Sequence, residues 1–166
     1  MMTPMQLREV LEYDAPLDRV FEMLCDRAWR EKVCAEQRAE SWDVTIDVVD
    51  DQAWVSVVRV LPAQVPDVVK SMVGRTIETV QTENWGPTSP DGSRRAEFHV
   101  QVKGQPATVA GEVRLEPIGG RSRQTVVGDV RVKIPFIGRR IEPEIAKAIR
   151  AGITVEQRLG AAYLAG

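Results

Sequence analysis

The feature that most constrains the fold is a long amphipathic segment at the end of the chain, residues 135–164. Its apolar residues recur at alternating steps of four and three positions, the spacing of one face of a helix. This face comprises Ile141, Ile145, Ala148, Gly152, Val155, Leu159 and Ala162, and Ile149, Ile153 and Tyr163 widen it. Most charged residues of the segment, including Glu142 and Glu156, are predicted to lie off it. A helix of about 25 residues is about 38 Å long, which is the width of a small domain.

Segments with the two-residue period of strands fill most of the chain before this helix. The first strand is predicted at residues 5–13, and two short helical segments follow it. Six more strands follow between residues 40 and 134, and connections of hairpin length pair such strands antiparallel. A sheet of this size coils too strongly to lie flat. We therefore predict an α+β fold in which a seven-stranded curved antiparallel sheet wraps around the long C-terminal helix, with two short helices between strands 1 and 2.

A short insert separates two of the strands, at residues 62–74. Residues 67–73 are predicted to form a short helix, and four side chains of the insert are available to face inward: Val65, Val68, Val69 and Met72. Inserts of this kind either cover a pocket or simply pack against the core. Both interpretations remain open.

Length, charge and residue content limit the classes of function. The 166 residues and 18.5 kDa suit one domain, predicted to span residues 1–166. A net charge of −2 argues against a nucleic-acid partner, which needs a surplus of Lys and Arg. No apolar run reaches membrane-spanning length and no secretory signal is evident, so we expect a cytoplasmic protein without a transmembrane segment. The single His99 and the distant Cys25 and Cys34 build no metal site, and no cofactor is expected.

The order of elements resembles the helix-grip fold of the START-related superfamily, which includes birch-pollen-allergen-like proteins, lipid-transfer START domains and polyketide cyclase/dehydratases. The segment from Val132 to Glu142, VKIPFIGRRIE, is similar to the strand-to-helix junction of a bacterial subfamily of unknown function within that superfamily. Ile134, Phe136 and Arg139 depart conservatively from its pattern. The resemblance implies a START-like domain with a space between the sheet and the helix, and it carries over no established activity.

Candidate site residues come from the strand at residues 76–85, because neither of its faces is apolar. If Ile77 and Trp85 point inward, the polar residues between them share the concave space: Thr79, Gln81 and Glu83. Glu9 on the first strand is a second inward carboxylate. A buried carboxylate must raise its pKa, bind Arg or meet water. The alternative is that these side chains lie near the open edge of the sheet and are solvated. The predicted ligand-binding set adds aromatic and helix residues: Trp54, Met72, Gln81, Glu83, Trp85, Phe98, Ile145, Ile149 and Gly152.

Three functions fit these observations. The first is binding or transport of a hydrophobic small molecule, such as a lipid, isoprenoid or polyketide-like compound. The second is an enzyme of the polyketide cyclase, aromatase or dehydratase type that uses Glu83, Glu9 or Gln81. A third is a protein-interaction module whose cavity is packed. The scarcity of catalytic residue types favours the carrier, with a hydrophobic ligand as its partner, and we nominate no catalytic residue.

Overall fold

A computed structural model describes residues 3–166, without the side chains of Val68 and Met72. It confirms the predicted α+β helix-grip fold, and the C-terminal helix begins three residues later than predicted. The elements in chain order are β1 (Met5–Tyr13), α1 (Leu17–Leu24), α2 (Arg27–Glu36), β2 (Ser41–Val49), β3 (Gln52–Pro62), α3 (Asp67–Val73), β4 (Thr76–Trp85), β5 (Arg94–Val102), β6 (Ala107–Ile118), β7 (Arg121–Val132) and α4 (Gly138–Ala165).

The seven strands form one sheet in the order β1-β7-β6-β5-β4-β3-β2, and every neighbouring pair is antiparallel. Helix α4 packs against β1 and β7 and against α1 and α2. It therefore covers one side of the concave face, while α1 and α2 support its C-terminal half. The middle strands, β4 and β5, face the space that remains.

Two glycines permit close approaches on the concave face, Gly128 to an aromatic ring and Gly111 to the backbone of β7. Phe98, Gly111 and Gly128 are aligned across β5, β6 and β7. A Cβ at Gly128 would lie 2.8 Å from Cζ of Phe98, and a Cβ at Gly111 would lie 1.9 Å from a backbone oxygen of β7. Atoms cannot approach so closely, so both positions require glycine, and Phe98 occupies the space above Gly128.

The face that α4 turns inward differs from the predicted stripe. Ala148 and Ala162 are exposed, whereas Ala146 and Glu142 are buried and Glu156 is half-buried. The predicted stripe nevertheless stays inward along the helix, because Gly152 and Val155 are half-buried and Leu159 is buried. The inward face is thus wider than the stripe on the side of Glu142, Ala146 and Glu156 and excludes Ala148 and Ala162. The prediction that Glu142 and Glu156 lie off the inward face is wrong. No helix within residues 3–166 is long and apolar enough to span a bilayer.

Candidate functional site

A buried ion pair joins α2 to the sheet. Arg30 is 4% exposed and Glu83 is 5% exposed. Nη1 of Arg30 donates to Oε2 of Glu83 at 2.9 Å, and Nη2 donates to Oε1 at 2.9 Å. The third donor of the fork, Nε, bonds the backbone oxygen of Leu24 at 2.8 Å. Such bidentate pairs are among the strongest hydrogen-bonded contacts in proteins, and this one fixes α2 on β4.

Two more donors complete the shell of Glu83. Nε2 of Gln81 donates to Oε2 at 2.8 Å, and the indole Nε1 of Trp85 donates to Oε1 at 2.9 Å. Both carboxylate oxygens thus accept two hydrogen bonds, which fills their capacity. Burial by itself would raise the pKa of Glu83, but the charge of Arg30 and the four hydrogen bonds outweigh it and hold the pKa below its ordinary value. Glu83 therefore stays ionised and has no acceptor position left for a proton of a substrate.

Strand parity explains this arrangement. Thr79, Gln81, Glu83 and Trp85 are alternate residues of β4, so all four point to the concave face. Trp85 is fully buried and meets Phe21 of α1 edge-to-face, with ring centroids 5.6 Å apart. The aromatic residue at the end of β4 anchors the register and brings the polar residues before it inward.

A second cation, Arg59 on β3, extends the polar cluster toward α4. Its Nη1 donates to Oε1 of Gln37 at 3.0 Å, and its Nη2 donates to Oε1 of Gln81 at 2.5 Å. Nε2 of Gln37 in turn donates to the carbonyl of Gly152 at 3.4 Å. Among the described residues, no carboxylate lies within 4 Å of Arg59, and its buried Nε has no hydrogen-bond partner. The guanidinium of Arg59 is therefore hydrogen-bonded to two neutral amides and has no ion pair among the described residues.

Glu156 of α4 is the residue that the sequence analysis missed. It is half-buried, and in the described part of the chain its carboxylate has neither a hydrogen bond nor an ion pair. Burial raises the pKa of Glu156, and the negative charge of Glu83 adds to this effect, whereas the positive charges of Arg30 and Arg59 oppose it. A signal was present, because Glu156 lies four residues from both Gly152 and Gly160 and so shares their helix face.

The structure brings most of the predicted ligand-binding residues to the concave side. Glu83 lies next to Phe98 of β5 in the pairing of the strands. Ile145 and Ile149 are half-buried and pack on the main core. Gly152 faces Gln37, whose Nε2 would lie 3.1 Å from a Cβ at this position.

Two of the predicted residues do not join this group. Trp54 is 42% exposed, because the parity of β3 turns its neighbours Ala53 and Val55 inward and Trp54 to the convex face. Its predicted place in the pocket is wrong. The side chain of Met72 lies outside the described residues. Glu9 is half-buried and pairs with Arg150 of α4, with Nε to Oε1 at 2.7 Å.

An apolar cavity of about 50 Å³ lies at the end of the sheet where α3 meets the start of α4. Its lining is aliphatic apart from one amide: Val65, Val69, Val73, Ile77, Val102, Gln105, Ala107, Val132, Ile134, Ile141 and Ile145. Arg59, Thr79, Val102, Ala107 and Val132 form one row across β3 to β7. The last three line the cavity, and the first two each carry a buried polar atom without a hydrogen-bond partner, Nε of Arg59 and Oγ1 of Thr79. Neither residue lines the cavity, but Thr79 pairs with the lining residue Val102, and Arg59 lies one strand farther away.

A larger groove lies elsewhere, between the α1–α2 junction and the edge strand β2. Its volume is about 500 Å³, and Arg27, Asp43 and Thr45 contribute to its walls. It is more open than the cavity under α4 and contains none of the predicted ligand-binding residues. The cavity under α4 is the better match to an apolar ligand.

Metal binding and thiol chemistry find little support in this part of the chain. Within residues 3–166, no three His, Cys, Asp or Glu side chains are placed to hold a metal ion. Cys25 and Cys34 are free thiols, and burial raises the pKa of both. A thiol with a raised pKa is a poor nucleophile at neutral pH.

Comparison with known proteins gives a family for the chain. The family described as "Protein of unknown function (DUF2505)" matches residues 9–164. An uncharacterised protein of Mycobacterium tuberculosis (strain ATCC 25618 / H37Rv) is 30% identical over 118 residues, which are 70% of this chain and 64% of that protein. The chain thus spans about two thirds of the length of the curated relatives that it matches.

Solved structures share the fold at low sequence identity. The structure of TTHA0849 from Thermus thermophilus has a TM-score of 0.66 at 16% identity, over 96% of this chain and 97% of that one. A STAR-related lipid transfer protein from Xanthomonas axonopodis has a TM-score of 0.61 at 15% identity, over 93% and 85%. The Zhui aromatase/cyclase from Streptomyces sp. R1128 has a TM-score of 0.59 at 11% identity, over 98% and 92%.

Proposed function

The chain belongs to the family described as "Protein of unknown function (DUF2505)", and on that premise we propose that it binds a hydrophobic small molecule between the sheet and α4. The class we propose is a lipid, an isoprenoid or a polyketide-like compound. One observation carries the proposal: the space under α4 has aliphatic walls, and the strand pairing places the unpaired hydroxyl of Thr79 next to the wall residue Val102. Ligand pockets typically combine an apolar majority with a few polar groups that orient the ligand. Two proteins of similar fold are named for lipid transfer and for aromatase/cyclase activity, which supports the same class of ligand.

The size of the cavity makes α3 part of the proposal. A volume of about 50 Å³ accommodates only a fragment of a ligand, since one molecule of liquid water occupies about 30 Å³. Val69 of α3 packs on Ile141 of α4 and closes the cavity from one side. We expect the ligand to enter by displacing α3, a short helix on an insert between two strands.

The polar end of the ligand would lie toward Arg59. The hydroxyl of Thr79, which has no hydrogen-bond partner, and the guanidinium of Arg59, which has no ion pair within 4 Å among the described residues, are neighbours on β4 and β3. A carbonyl, hydroxyl or carboxylate oxygen of the ligand placed there would accept hydrogen bonds from the Thr79 hydroxyl and the Arg59 guanidinium. A buried donor without an acceptor costs free energy, so these hydrogen bonds would favour binding. Gln81 and Gln37 hold the guanidinium in place.

A cavity-filling variant tests the proposal. Ala107→Leu adds three carbon atoms to the cavity wall, while Ala110→Leu adds the same atoms on the exposed face of the same strand. Native mass spectrometry of purified protein would seek a co-purifying molecule, and anilinonaphthalene sulfonate fluorescence would measure apolar binding. We expect Ala107→Leu to lower the co-purified fraction and the probe affinity at least tenfold, and Ala110→Leu to match the wild type. Equal binding by all three proteins, or no co-purifying molecule and no probe binding, would contradict the proposal and favour the packed interaction module.

The enzyme alternative has one observation in its favour, which is Glu156. Glu83 has no free acceptor position, so acid–base catalysis would depend on the unpaired carboxylate of Glu156, whose raised pKa suits proton transfer. If a ligand co-purifies, incubating it with wild type and with Glu156→Gln separates the two functions. A carrier returns the ligand unchanged in both cases, whereas an enzyme of this type forms a product that the variant forms at least 100-fold more slowly.

A further inference from the structure

An aromatic side chain stands fully in solvent at one end of the molecule. Phe136, in the connection between β7 and α4, is 100% exposed. Its backbone has φ +70, a conformation that is unfavourable for a bulky side chain. Exposing the ring and holding this backbone both cost free energy, and no contact within the described residues compensates for them.

The surface around Phe136 is basic, although the whole chain carries a net charge of −2. Exposed cations lie on the same connection, in the first turn of α4 and around α3: Lys70, Arg75, Lys133, Arg139 and Arg140. Among the residues that the structure describes, none of the five lies within 4 Å of a carboxylate. Asp67 is an acidic residue of the same region. Unlike most other cations of the chain, these five are available to an external anion.

This surface borders the apolar cavity. Ile134 and Ile141, on either side of Phe136 in sequence, both line the cavity, and Val69 of α3 packs in the same cluster. The connection, the first turn of α4 and α3 therefore meet at one end of the protein. Strand β3 begins at Gln52, in the hairpin with β2, and ends at Pro62, next to α3. The β2–β3 hairpin therefore lies at the opposite end of the molecule.

We propose that this end of the molecule, called here the docking end (residues 66–75 and 133–140), binds the surface of an anionic lipid bilayer. Phe136 would insert among the acyl chains near the headgroups, and the five cations would contact lipid phosphates. A single protruding ring suits a deformable bilayer better than a protein partner, which would need a continuous apolar patch. The proposal goes beyond ligand binding, and it places the cavity wall next to a source of apolar molecules.

Vesicle co-sedimentation tests the proposal. The probes are vesicles of phosphatidylcholine alone and of equal parts phosphatidylcholine and phosphatidylglycerol. We expect the wild type to sediment with the mixed vesicles, to bind pure phosphatidylcholine at least tenfold more weakly, and to dissociate as salt is added. Phe136→Asn removes the ring but places a residue that tolerates positive φ, so the fold should be retained. Its partition onto mixed vesicles should fall by about 10- to 100-fold, since the burial free energy of one Phe side chain is lost.

Matched variants separate the docking end from the rest of the surface. Arg139→Gln/Arg140→Gln removes two cations of the docking end and should lower binding at least tenfold. Arg8→Gln/Lys32→Gln removes two exposed cations elsewhere that have no ion pair among the described residues, and Val49→Asn removes an exposed apolar side chain at the opposite end. Both controls should bind as the wild type does.

Three results would overturn the proposal. The first is equal binding of the wild type to both kinds of vesicle, or no binding to either. The second is binding of Phe136→Asn to mixed vesicles that is as strong as that of the wild type. A melting temperature no lower than that of the wild type should first show that this variant is folded. If the arginine variant alone loses binding, the surface is a purely electrostatic one that fits an acidic protein or a nucleic acid, and insertion into a bilayer is refuted. These assays contain no small-molecule ligand, so their outcome is independent of the proposed carrier function.

Discussion

Replacing Glu83 with Gln should destabilise the protein more than any change to a surface ion pair. The variant keeps the size of the side chain but leaves the Arg30 guanidinium buried without a counter-charge. The NH2 group of the new Gln side chain also faces N–H donors, to which it cannot bond. Removing one partner of a buried pair costs about 3–5 kcal/mol. The other donors to this site, on Gln81 and Trp85, compete for a single remaining acceptor oxygen. We therefore expect a loss of at least about 3 kcal/mol, equivalent to roughly 6–12 °C in Tm for a chain of this length.

Urea denaturation followed by circular dichroism measures this loss. The matched control is Glu36→Gln, which breaks the exposed pair between Glu36 and Arg158 at 3.1 Å and should cost less than about 1 kcal/mol. Arg30→Gln/Glu83→Gln should recover part of the stability, because it removes the unpaired charge as well. A loss below about 1 kcal/mol in Glu83→Gln would refute the argument that Glu83 neutralises a buried cation.

The pair also predicts the acid sensitivity of the wild type. The folded protein holds the pKa of Glu83 below its ordinary value of 4.5. The folded state therefore binds this proton less readily than the unfolded state, and the pair stabilises the fold fully above pH 4.5. That contribution is lost as the pH falls below 4.5 through the lowered pKa. Glu83→Gln should show no such loss, so the stabilities of the two proteins should converge in acid.

Three further substitutions test α4. Glu156→Gln should stabilise the protein at neutral pH, because the raised pKa means that ionised Glu156 is disfavoured in the fold. The gain in stability should vanish below pH 4.5 and grow as the pH rises above 4.5 through the raised pKa. A loss of stability at pH 7 would show that Glu156 has an ionic partner. Gly160→Ala should cost about 1–3 kcal/mol despite a better helix propensity, since its Cβ would lie 2.7 Å from Cε1 of the buried Tyr13. The Cβ that Gly152→Ala adds would meet only the flexible side-chain amide of Gln37, at 3.1 Å. The free energy of unfolding of this variant, measured in urea, should therefore stay within about 1 kcal/mol of the wild-type value. Equal losses at the two glycines would contradict this account of the helix contacts.

The fold could be predicted from the sequence because its signals are local. The two-residue period of the strands, the turn residues between them and one long helical pattern each depend on neighbours in the chain. The direction of the β4 side chains was also accessible, since Trp85 at the strand end brings Gln81 and Glu83 to its own face. Arg was one possible partner of a buried Glu83, although nothing in the sequence pointed to Arg30.

Tertiary structure decided the partners and the rotation of the elements. Arg30 and Glu83 are 53 positions apart, and no periodicity links residues at that distance. Glu156 turns inward because contacts of Gly152 and Gly160 with Gln37 and Tyr13 orient α4, and these contacts make the inward face wider than the stripe counted along the helix. Trp54 turns outward because β3 is apolar on both faces, and such a strand leaves its own orientation undetermined until it pairs with β4. Local pattern thus determined which elements form, and long-range packing determined which side chains meet in the site.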